Sequence, residues 1–124
     1  MFKQIEGMPP DVLAVEAVGE VSHGDYRDWL IPKAEAMFGH GPVRMLYVIG
    51  PGFTGFDLQA LADDAGFGLK HMHDFTQIAV VSDHVGLNGV IAMFKPFFHG
   101  EVRVFRMGEL DMAKTWIKAG PRHE

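Results

Sequence analysis

The chain has 124 residues, 48% of them hydrophobic, and a formal net charge of −5; that is enough for one domain with its own core and too apolar for a disordered chain. It contains no cysteine, which excludes disulfides, thiolate nucleophiles and Cys-based zinc sites and fits a reducing cytoplasm. The acidic balance, without clustered Lys and Arg, excludes a nucleic-acid footprint.

Residues 2–6 and 12–19 (VLAVEAVG) read as two short strands across the Pro-rich turn GMPPD, an antiparallel hairpin. The opening MFKQIEGMPP carries Lys3 and Glu6 and no apolar core segment, so no signal peptide is expected. Periodicity then changes. Ser22 stands three residues before Asp25, a capping-box start, and Tyr26, Leu30, Ala34 and Met37 follow at helical spacing beside Trp29 and Phe38. Pro32 falls inside this first helix and should kink or restart it. VRMLYVI, 43–49, has the length and β-branched content of a strand buried on both faces.

GPGFTGFD is next, read as a glycine-rich loop in which Gly52 and Gly55 supply special backbone angles and Asp57 caps the following helix. In that second helix Leu58, Leu61, Ala62, Ala65, Leu69 and Met72 form one apolar stripe. QIAVVSD, 77–83, is a further buried strand, and residues 85–98 (VGLNGVIAMFKPFF) a third helix, too short and interrupted to span a bilayer. GEVRVFRM, 100–107, reads as a strand near the sheet edge, with Arg103 and Arg106 on opposite faces. Leu110, Ala113, Trp116 and Ile117 mark a last amphipathic helix closed by Gly120 and Pro121. The order ββαβαβαβα implies a single α/β domain over residues 1–124, its mixed, mostly parallel sheet flanked by helices.

The histidine-rich stretch GLKHMHDFTQIAVVSDH, 68–84, does not read as a metal centre. His71 and His73 are two apart at a helix end and point away from each other, whereas helical metal pairs are spaced by three or four. With Lys70 they complement the negative end of the helix dipole. Ser82, Asp83 and His84 are adjacent in sequence and cannot form a triad with one another. GPGFTG lacks the Lys-Ser/Thr of a phosphate loop. No catalytic residue, metal or cofactor is therefore assigned.

The third helix carries the functional signal. Leu87, Val90, Ile91, Phe94 and Phe98 share one face, Met93 and Phe97 widen it, and Asn88 and Lys95 are nearly its sole polar residues. A helix on one sheet face needs an apolar stripe of only about 100°. The wider arc reads either as burial by neighbours or as contact with something apolar: a second subunit in a homodimer, a lipid-like ligand, or a membrane surface. Its glycines, Pro96 and its Met and Phe content make it a candidate mobile element.

LIPKAEA, GPGFTGF, the 68–84 stretch and GEVRVF, with the hairpin start, resemble the bacterial SpoIIAA-like proteins, small STAS-type domains also likened in fold to CRAL-TRIO lipid carriers. The resemblance covers nearly the whole chain and implies a STAS-like α/β fold; with no catalytic constellation and no cysteine, a non-enzymatic cytoplasmic module is expected. The serine motif that anti-sigma-factor antagonists carry at the second helix is missing; the matching stretch GFTGFDLQAL offers Thr54 as the one nearby hydroxyl. The CRAL-TRIO likeness implies an apolar pocket beneath a movable helix. The expectation is a binding or regulatory module that takes an apolar small molecule or sits peripherally on a membrane, using Phe53, Thr54, Phe56, Leu87, Val90, Ile91, Met93, Phe94, Phe97 and Phe98. The alternative is a module for a protein partner, switched by phosphorylation of Thr54.

Overall fold

The computed structural model describes residues 1–71, 73–97 and 100–121, with backbone conformation alone at Leu61, Ala65, Gly68, Leu69, Val90, Phe94 and Phe97. Strands β1 (Phe2–Gln4) and β2 (Val12–Val21) form the hairpin, and β3 (Val43–Phe56), β4 (Phe75–Ser82) and β5 (Glu101–Phe105) complete one sheet. The spatial order follows the chain, β1 to β5, with β1 antiparallel to β2 and every other pair parallel. The sequence reading of a mixed, mostly parallel α/β domain is thus what the chain adopts.

Helix α1 begins with the turn His23–Asp25, widens to a π-helical segment over Tyr26–Leu30 and returns to α geometry over Ile31–Phe38. The capping box is present: Ser22 Oγ accepts from the Asp25 amide at 3.2 Å, and Asp25 Oδ2 accepts from the Ser22 amide at 2.8 Å. Pro32 has no N–H to give to the preceding turn, and the helix adjusts by widening directly ahead of it. Helices α2 (Leu58–Lys70), α3 (Val85–Phe94) and α4 (Leu110–Ala119) follow, with tight helical turns at Lys95–Phe97, where Pro96 ends α3, and at Met107–Glu109, directly ahead of α4.

Three successive parallel crossovers run in the same direction along the sheet, so right-handed connections carry α1, α2 and α3 to one face and leave the other to α4. The packing agrees. Leu13, Val15, Met45, Tyr47 and Ile49 meet Tyr26, Leu30, Ala34, Ala60 and Phe67 on one side. Val12, Ala14, Leu46, Val48, Ala79, Val81 and Phe105 meet Ala113 and Ile117 on the other. β5 is a sheet edge, where Arg103 lies 5.3 Å over Trp116 and 5.0 Å over Phe105.

Three readings are corrected. Residues 51–56 are not a loop: β3 continues through them, and Phe53, Gly55 and Phe56 pair with Gly19, Glu20 and Val21. Gly55 takes a φ of +149°, but Gly52 adopts no positive φ. Third, α2 is turned over. Ala60, Phe67 and His71 are buried, while Leu58 is 86% exposed and Ala62 is exposed as well. The apolar stripe expected to face the core thus points outward at its described members; the side chains of Leu61, Ala65, Leu69 and Met72 lie outside the description. Spacing states which residues share a helix face, not which way that face turns.

Candidate functional site

Three features converge where β3 and β4 end. β4 stops at Ser82, paired with Ile49, but β3 runs on as a tongue held only by β2. Along the tongue the rings of Phe53 and Phe56 pack at a tilt of 59° with centroids 4.9 Å apart, and His84 meets Phe53 edge-on at 5.5 Å. Both phenylalanines and Leu87 of α3 are half-buried against the core. Thr54 is exposed beside them. The first turn of α3 is pinned to the strand end: Asn88 Nδ2 donates to the Ser82 carbonyl at 3.0 Å, and the buried Ser82 Oγ accepts from the His84 amide at 3.0 Å. Ser82 is therefore engaged in shaping a turn.

From this anchored start α3 leaves the sheet apolar and largely uncovered. Val85 is 83% exposed and Met93 74%, while Ile91 is half-buried. Among the expected contact residues the structure brings together Phe53, Phe56 and Leu87, sets Thr54 at their margin, and carries Ile91 and Met93 along α3. The side chains of Val90, Phe94, Phe97 and Phe98 lie outside the described residues. Among the described residues no helix is long and apolar enough to cross a membrane.

The histidine stretch divides as its spacing demands. His71 ends α2, buried and stacked on Phe38 at 4.5 Å, with Nδ1 donating to Asp74 Oδ2 at 2.8 Å. His84 sits past the far end of β4. Among the described residues no three His, Cys, Asp or Glu side chains converge as a metal site.

A polar cluster beneath α2 was not foreseen. Asp64 Oδ1 accepts from the Tyr26 hydroxyl at 3.0 Å, and that hydroxyl lies 3.0 Å from the Tyr47 hydroxyl. Beside them Asp63 accepts from His23 Nδ1, and Asp57 caps α2 through the Ala60 amide while taking the His23 amide at 3.2 Å. Burial, then the Asp64 charge, pushes both tyrosine hydroxyls far above their ordinary range. Asp64 retains solvent access along its side chain, yet the protein around its carboxyl pushes it above the usual carboxylate value; the bond from Tyr26 opposes the rise. Because of that access, the rise is smaller than complete enclosure would give. The available signal was register: Asp63 and Asp64 stand three and four residues after Ala60 and ahead of Phe67, within the inward face.

With this geometry in hand, the SpoIIAA-like family model matches residues 12–118. The chain belongs to the SpoIIAA-like family. Among solved structures it is similar to an uncharacterized protein of the DUF3478 family with a SpoIIAA-like fold from Shewanella loihica PV-4, at 25% identity and a TM-score of 0.70, over 94% of this chain and 92% of that one. No curated protein matches the chain. Membership of this SpoIIAA-like family points to a regulatory or binding module.

Proposed function

We propose that this SpoIIAA-like domain is a non-enzymatic cytoplasmic module that receives an apolar, lipid-like ligand or a membrane surface on α3 and the adjoining tongue of β3. One observation carries the reading: α3, the most apolar of the described helices, leaves Val85 and Met93 in water. Burying such side chains is worth roughly 1.5–3 kcal/mol each. Part of that gain offsets the loss of translational freedom, so two of them sustain a weak, reversible association rather than a permanent one. The polar groups at the strand end, Ser82 and Asn88, hold backbone in place, which favours binding over catalysis. Native mass spectrometry of freshly purified protein tests the ligand form of the proposal: an acyl-chain mass retained on the monomer or dimer supports it, and a bare chain throughout counts against it.

The second reading is a protein-partner module. It draws on the exposure of Thr54, three residues ahead of the Asp57 cap, where the start of α2 favours added negative charge. Pull-downs with wild type and Thr54→Glu decide it: equal recovery of the same proteins removes its support.

A further inference from the structure

The sulfur chemistry of the chain converges on α3. The sequence holds eight methionines and no cysteine, so no thiol is present to meet an oxidant ahead of the thioethers. Among the described methionines Met45 is buried, Met8, Met37 and Met107 are half-buried, and Met1, Met93 and Met112 are exposed. Met93 is the most open of them, at 74%. One turn before it stands Gly89, where a Cβ would meet nothing within 4 Å, so no side chain at that position flanks the sulfur. Met112 belongs to α4 on the opposite face of the sheet, and Met1 leads into β1 at the other sheet edge from β5.

The place of Met93 in the helix decides what its oxidation would do. The exposed described residues of α3 are Val85, Gly86, Gly89, Ala92 and Met93, and none has a polar side chain; Asn88 is turned inward to the Ser82 carbonyl. We propose that Met93 is a redox-controlled site: hydrogen peroxide converts its thioether to the sulfoxide, and the new oxygen switches off the apolar face of α3. The proposal rests on the reading of that face as an apolar contact surface. In the step the sulfur lone pair attacks one peroxide oxygen, and an S–O bond forms as the O–O bond breaks. The hydroxyl left on sulfur gives its proton to the departing hydroxide, which becomes water. The sulfur loses two electrons and the peroxide gains them. The sulfoxide dipole must then shed its water before the face can enter an apolar environment, where it finds no donor. Met93 changes from a side chain that favours contact into one that opposes it. Methionine sulfoxide reductases return the sulfoxide to the thioether, so the change is reversible.

Co-sedimentation of the intact chain with phosphatidylcholine vesicles reads the switch. Each protein is compared before and after mild hydrogen peroxide, with peptide mass spectrometry locating the added oxygen. Oxidised wild type should bind about tenfold more weakly than reduced wild type, the contribution of one apolar side chain. Treatment with a methionine sulfoxide reductase should restore the binding. Met93→Leu has no thioether at this position, so peroxide should leave its affinity, whatever that is at the start, where it stood. Met112→Leu keeps the thioether of Met93 and should lose affinity on oxidation as wild type does. Wild type that carries the sulfoxide at Met93 and binds as tightly as before, Met93→Leu that weakens to the same extent as wild type, or Met93 left unmodified while Met112 is oxidised would each overturn the switch and leave the contact surface standing. No binding by reduced wild type would instead remove the contact surface, and the switch with it.

Discussion

Replacing Arg44 with methionine tests how the C-terminus of α4 is held to the sheet. Arg44 lies on β3, with its side chain 9% exposed. It grips Asp11 with two bonds, Nη2 to Oδ1 at 2.6 Å and Nε to Oδ2 at 3.2 Å. Its remaining nitrogen, Nη1, donates to the carbonyls of Ile117, and of Lys118 at 3.1 Å, and so caps the C-terminus of α4. Asp11 is half-exposed, so losing the ion pair itself costs under about 1 kcal/mol. The carbonyls differ: a hydrogen bond to a charged group contributes about 1.5–3 kcal/mol, and the Ile117 carbonyl is left buried without its donor. Arg44→Met preserves the aliphatic stem and should lower stability by about 3 kcal/mol, read as a reduced urea midpoint with an unchanged slope. Asp11→Ala should cost less than a third of that. Equal losses in the two variants would show that the surface pair, not the helix cap, carries the interaction, and the reasoning would fail.

Three further outcomes follow from local geometry. Gly100→Ala should destabilise by about 1–3 kcal/mol, because a Cβ there would fall onto the backbone of Phe75 and Thr76; an unchanged melting temperature would contradict this. Ser22→Ala removes the N-cap of α1 and should cost about 1 kcal/mol in the same urea assay. The bond from Arg44 holds Asp11 below the ordinary carboxylate range, so its contribution is present above the unfolded value and fades as pH falls through the lowered one. Acid titration of stability should therefore be flatter in Arg44→Met than in wild type.

Much of the fold was legible because its signals are local. The Ser22 box, the Asp57 cap and the stripe of α4 depend on residues within two turns of each other, and each formed where the spacing placed it. The alternation of strands with helices was enough to predict parallel pairing. The tongue at 51–56 was not legible, since glycines argue for a loop and only its pairing with Gly19, Glu20 and Val21 makes it a strand. Arg44 gave no local sign that its partners would be a turn residue 33 positions back and carbonyls more than 70 positions on. The outward turn of α2 escaped for a related reason: Tyr26 and Tyr47 supply polar partners from elements distant in sequence, and those partners draw the acidic face inward. The candidate site was half legible, α3 through its composition and the aromatic pair of the tongue through its proximity to Asp57.

Vesicle co-sedimentation tests the central claim most directly, using zwitterionic phosphatidylcholine so that the net charge of −5 does not oppose contact. Val85→Asp and Met93→Asp alter exposed positions and should change stability by no more than about 0.5 kcal/mol. Wild type should sediment with the vesicles, and each variant should bind about tenfold more weakly, since a carboxylate replaces a side chain whose burial is worth more than 1.4 kcal/mol. Equal binding by wild type and both variants, or no binding by wild type at any lipid concentration, would contradict the assignment of α3 as an apolar contact surface.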